Sequence, residues 1–146
     1  MRNLTIERRK TFVASAMKMK VYIEDATANE LEIGGVACRK LGDLKNGETK
    51  TFPITDNAAK VFVIADTLSK DYCNEFYQLT EGSEDVVLAG KNQLNVFAGN
   101  PFHFDNNDNP EVLENRKQGK RRATVIMICA IVGGLIGGIL VGIGIL

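Results

Sequence analysis

The chain has 146 residues, with 18 basic and 18 acidic residues, one His, no Trp and three Cys, and 45% of its residues are apolar. This is room for one domain of ordinary size, and it excludes a large multidomain enzyme, a disulfide-dense secreted mini-protein and a strongly basic nucleic-acid binder. The net charge of zero joins unlike parts: the 18 acids all lie at or before Glu114 beside 13 basic residues, a net of −5, while 116–122 carry +5 and 123–146 carry no charged side chain.

In chain order, the first segment with strand character runs from Leu4 to Phe12. Met17, Met19, Val21 and Ile23 then alternate with Lys18, Lys20, Tyr22 and Glu24, the period of a half-buried strand. Ala26 to Asn29 interrupts it, and Leu31 and Ile33 resume the alternation. Gly34-Gly35 is a two-residue hairpin signal, after which Val36 to Leu41 runs back. Asn46-Gly47 is a second such signal, followed by Phe52 and Ile54. Pro53 cannot donate to a ladder, so this strand is expected to lie at an edge or to end there.

Val61 to Ala65 is a continuous apolar run, which suits a strand covered on both faces. Tyr72 to Leu79 fits either a strand or a short helix, Glu81-Gly82-Ser83 a turn, and Val86 to Ala89 a further strand. Seven or eight short strands at about ten-residue spacing predict an all-β fold, a small antiparallel β-sandwich of immunoglobulin-like size over 1–108. Residues 90–109 read as a polar, turn-rich loop that Phe97, Phe102 and Phe104 pin onto the sandwich.

Asn109-Pro110-Glu111 has the chemistry of a helix start: Asn as cap, Pro at the first helical position, acid in the first turn. A short linker helix over Pro110 to Gln118, with a bend at Gly119, leads through a juxtamembrane flank over 109–122. Residues 123–146 read as one C-terminal transmembrane helix. As a helix they span about 36 Å, enough for a hydrocarbon core of about 30 Å. An amphipathic helix of a soluble protein would keep a polar face, and only Thr124 breaks this pattern.

Arg116, Lys117, Lys120, Arg121 and Arg122 precede the span. Basic flanks stay on the cytoplasmic side and attract anionic headgroups, which places the N-terminal domain in the cytoplasm. Residues 1–20 hold no apolar stretch of signal-peptide length, so the sequon Asn3-Leu4-Thr5 carries no weight. Over 116–146 this topology resembles that of tail-anchored proteins. Ala130, Gly134, Gly138 and Gly142 recur every four residues, with Gly133 and Gly137 beside them, a small-residue face on which helices approach closely in lipid. The expected partners are the bilayer, a second copy or another membrane helix, and an unidentified cytosolic protein.

Catalytic signatures are weak. His103 could pair with Cys38 or Cys73, but no nucleophile motif surrounds either thiol, and a zinc site from these three lacks paired spacing. Asp105, Asn107 and Asn109 imitate the start of a calcium loop, which then meets Pro110 where Gly is needed and Arg116 where Glu is needed. Gly90-Lys91 lacks the earlier glycine of a phosphate loop. Asp56, Asp66, Glu81, Glu84 and Asp85 read as solvent-facing turn charges, and a domain of −5 repels nucleic acid. The expectation is a non-enzymatic binding or scaffold module with no cofactor and no metal. The alternative is a membrane-active effector whose glycine-rich helices oligomerise into a pore.

Overall fold

The computed structural model describes residues 1–12, 16–65, 75–93 and 102–142, without the side chains of 122, 123, 126 and 135–142. Its strands are β1 (Arg2–Arg8), β2 (Met19–Glu24), β3 (Leu31–Ile33), β4 (Val36–Leu44), β5 (Thr49–Ile54), β6 (Ala59–Ala65), β7 (Tyr77–Leu79), β8 (Val86–Asn92) and β9 (Phe102–Phe104). One helix, α1, runs over Pro110–Gly142. The strands form two sheets, of order β5-β1-β8-β9 and β3-β4-β2-β6-β7.

Alternation explains how the sheets meet. In β1, Leu4 and Ile6 face inward and are fully buried, while Asn3 and Glu7 are exposed. With Leu88 and Phe102 of the same sheet they join Val21, Val63 and Leu44 of the other in one shared core. The continuous run in β6 has a direct cause. Val61, Val63 and Ala65 enter this core, whereas Phe62 and Ile64 point to the other face. There they build a second cluster with Tyr22, Ile33, Cys38, Phe76 and Val112. Both faces of β6 are therefore covered, as its sequence implies.

The hairpin signals hold. Gly34 and Gly35 sit at φ 57 and 79 between β3 and β4, and Gly47 at φ 76 between β4 and β5, conformations that favour glycine. β5 is an edge strand, as Pro53 requires. Three expectations need correction. The sheets are not wholly antiparallel: β1 pairs with β8 in parallel, Ile6 opposite Leu88, because these strands enter the same end of the fold. Residues 102–104 are a strand, not a loop, since Phe102 and Phe104 alternate inward around His103. The helix does not stop at Gln118 but continues through Gly119 to Gly142. Phe97, Asp66 and Cys73 lie outside the described residues.

Among the described residues no helix is long and apolar enough to cross a membrane. The expected span over 123–146 extends past them, into 143–146 and the side chains of 135–142.

Candidate functional site

The junction between the β-domain and α1 is where this chain concentrates its long-range polar contacts. Asn109 caps α1: its Oδ1 accepts from the Glu111 N–H at 3.0 Å and its carbonyl from the Leu113 N–H at 3.0 Å. One turn on, Val112 is fully buried in the second cluster. Burial of such a side chain contributes about 1.5–3 kcal/mol. Another turn on, Arg116 meets Glu75, whose side chain is 3% exposed. The Arg116 Nε donates to Glu75 Oε2 at 2.9 Å, and Nη2 forms a second bond to Oε1. This is the paired fork geometry that makes Arg–carboxylate contacts directional.

The same pair closes a sheet edge. Asp105 N–H donates to the Ala89 carbonyl, so alternate backbone groups of β9 face β8. The N–H and C=O of Phe104 face away from it. Glu75 Oε1 accepts the Phe104 N–H at 3.1 Å, and Arg116 Nη2 donates to the Phe104 carbonyl at 3.1 Å. Two side chains thus stand where a further strand would bond. Asn107 strengthens the corner, donating to the Phe76 carbonyl at 2.8 Å.

His103 is half-buried on β9, within reach of the charges of Glu75, Arg116 and Lys120. Burial lowers its pKa below the usual imidazole value, helped by Arg116 and Lys120 and opposed by Glu75. Across the following turn, Arg9 forms a two-point bridge with Asp105. The hydrogen bond from Arg9 is the main reason the Asp105 carboxyl lies below its ordinary value.

The basic flank is thus divided. Arg116 is engaged by Glu75, while Lys117, Lys120 and Arg121 are exposed. Only the backbone of Arg122 is described. Beyond Lys120, every described side chain of α1 is exposed, including Val125, Met127, Ile128, Ile131 and Val132. Thr124 donates its hydroxyl to the Lys120 carbonyl at 3.0 Å, within its own helix. Ala130, Gly133 and Gly134 are exposed, and a Cβ added at either glycine meets nothing within 4 Å. Gly137, Gly138 and Gly142 continue the helical backbone.

Four of the residues considered for chemistry, Cys38, Asp105, Asn107 and Asn109, are held in structural contacts. Cys38 is buried in the second cluster, its thiol pushed up to about 11 mainly by desolvation, the reverse of an activated nucleophile. Asp105, Asn107 and Asn109 are bonded to Arg9, Phe76 and the helix start respectively. Among the described residues, no group of three or more His, Cys, Asp or Glu could hold a metal. A cleft of about 640 Å³ is lined by Asp25, Thr27, Val36, Arg39 and Asn57. Asp25 takes Thr27 at 2.6 Å and Arg39 at 3.2 Å.

Sequence reasoning missed Glu75 altogether. It also missed Arg2, whose guanidinium donates to the carbonyls of Thr55, Asn57 and Thr80. The alternation of β1 held a signal for Arg2, since Arg2 shares parity with Leu4 and Ile6; Glu75 had none. Comparison of the chain with protein-family models and with curated proteins finds no match.

Proposed function

We propose that this protein is a non-enzymatic, membrane-anchored β-sandwich that presents a binding surface from the bilayer and self-associates through its glycine-stepped helix. One observation carries this reading. A single helix begins clasped to the domain by Val112 and Arg116, passes through Lys117, Lys120 and Arg121, and continues into exposed apolar residues. Large exposed apolar surface marks contact with a partner or a membrane. The sequence supplies the rest, with 24 residues from Ala123 free of charged side chains and a basic flank that favours the cytoplasmic side.

The glycine face supports association. Open space around Gly133 and Gly134 would let a second backbone approach closely. Clustering would raise apparent affinity for a multivalent partner through effective concentration alone. The test is extraction and crosslinking of the full chain in membranes. The protein should remain in the pellet at alkaline pH, and Gly138→Leu should reduce its crosslinked dimer. Release into the aqueous fraction would refute the anchor, and an unchanged crosslinking pattern would refute association through this face.

A further inference from the structure

The two ends of the β-domain differ in charge, and α1 leaves at the basic one. Strand register defines these ends. Arg2 pairs with Ile54 and Leu4 with Val86, so the 25–30, 55–58 and 80–85 turns gather at one end. They carry Asp25, Glu30, Asp56, Glu81, Glu84 and Asp85, met from the adjoining strands by Arg39 on Asp25, the N-terminal ammonium on Asp56 and the Arg2 guanidinium on the Thr55, Asn57 and Thr80 carbonyls. Glu7 pairs with Thr49 and Met19 with both Leu44 and Ala65, so 9–12, 16–18 and 45–48 gather at the other. These described segments carry Arg9, Lys10, Lys18 and Lys45 against Glu48, with Arg9 bridged to Asp105 and the three lysines exposed.

The helix runs toward the second end. Glu111 and Asn115 lie beside Gly34 and Lys60. Arg116 then reaches Phe104, and the charge of Lys120 acts on His103, one residue further along β9 toward Asn92. Contact with the domain ends at buried Gly119. From there to Ala123 is four residues, about 6 Å of helix.

Phe12 is at this end too. Thr11 and Asn46 clasp each other through two 3.0 Å bonds, which fixes the 9–12 segment on the 45–48 turn. The Phe12 side chain beyond them is fully exposed, at 102%, and Lys10, Lys18 and Lys45 are exposed at the same end. An aromatic ring amid lysines is the chemistry of an interfacial anchor, the ring entering the headgroup layer and the ammonium groups meeting anionic lipid.

We propose that the β-domain itself docks on an anionic bilayer surface through this end, with Phe12 inserted and Lys10, Lys18 and Lys45 on lipid headgroups. The inference rests on the membrane-anchor reading and deepens it. The domain does not sway above the membrane; it stands on it, acidic end outward, with Asp25, Glu81 and Glu84 facing a partner. Three independent features agree on this orientation: the charge division, the exposed aromatic and the direction of α1.

The chain contains no Trp, so Phe12→Trp gives a single reporter. The full chain carrying it is reconstituted into phosphatidylcholine vesicles with and without phosphatidylglycerol, and emission and quenching by brominated lipid are read. Val87→Trp, on the exposed outer face of β8, is the reference. The expected result is a blue shift and strong quenching for Phe12→Trp in anionic vesicles, with water-like, unquenched emission for Val87→Trp. Each Lys→Gln replacement at Lys10, Lys18 or Lys45 should weaken docking about fivefold. Alkaline extraction of the same vesicles separates the two claims. A retained chain with water-like, unquenched Phe12→Trp emission overturns the docking alone. A released chain overturns the anchor and the docking with it.

Discussion

At the scale of single residues, Glu75 has the most consequential position in the domain. Its carboxylate receives Arg116, Phe104 and Asn107, so its removal takes the counter-charge from Arg116 and the acceptor from the buried Phe104 N–H, while Asn107 keeps the Phe76 carbonyl. Breaking a buried pair from one side costs about 3–5 kcal/mol. Arg116→Ala, which strands the buried Glu75 carboxylate, should cost that much in urea unfolding of the detergent-solubilised chain, and Glu75→Ala should cost less from the pair itself, because the cation it leaves keeps partial access to water. The double variant should lose less than the sum of the singles, the signature of a shared interaction. His103 gives the pH dependence. Burial sets its folded pKa below its unfolded value, so the unfolded chain binds the proton first. Its contribution is complete above a pH of about 6.5 and is lost as pH falls through the window below. Unfolding free energy should decline as pH falls below about 6.5, and His103→Gln should flatten that decline. An equally steep decline in His103→Gln would assign it to other groups.

Elements show where local chemistry sufficed. Asn109 caps a helix that Asn-Pro-Glu announces, and Asn109→Ala should cost about 1 kcal/mol in the same unfolding measurement. Gly90 is a different case. A Cβ there would lie 2.4 Å from the His103 carbonyl and 2.6 Å from the Phe102 ring. Gly90→Ala should therefore destabilise by about 1–3 kcal/mol through overpacking, and an unchanged urea midpoint would show that β9 can move away. The strand segments, both glycine hairpins, the edge placement of β5 and the double-sided burial of β6 were legible because each follows from period-two patterning or turn chemistry within a few residues. The parallel pairing of β1 with β8 was not legible, since it joins residues more than eighty positions apart in sequence. β9 was hidden because Phe102 to Phe104 is too short for its alternation to stand out from the surrounding Asn and Gly. The bend expected at Gly119 gave way to a continuous helix; tertiary contacts with Val112 and Arg116 on one side override a single weak helix former. The junction was legible only in part. Arg116 belonged to a visible basic cluster, but its partner Glu75 sits in a stretch with no pattern of its own.

On the scale of the whole molecule, the domain and α1 are joined without a slack linker. Val112 and the Glu75–Arg116 pair fix where α1 starts, and the continuous helix carries that orientation past the basic flank. The proposed anchor therefore determines which surface of the domain looks outward. The central claim is that α1 beyond Arg121 resides in lipid, and Cys129 reports on it directly. In a Cys38→Ala, Cys73→Ser background, the full chain in opened vesicles is treated with a membrane-impermeant maleimide, with Leu113→Cys in the Cys129→Ala form as the aqueous reference. The account predicts that Cys129 stays unlabelled until the vesicles are dissolved in denaturing detergent, while Leu113→Cys labels at once. Labelling of Cys129 in intact bilayers at the rate of Leu113→Cys would contradict it.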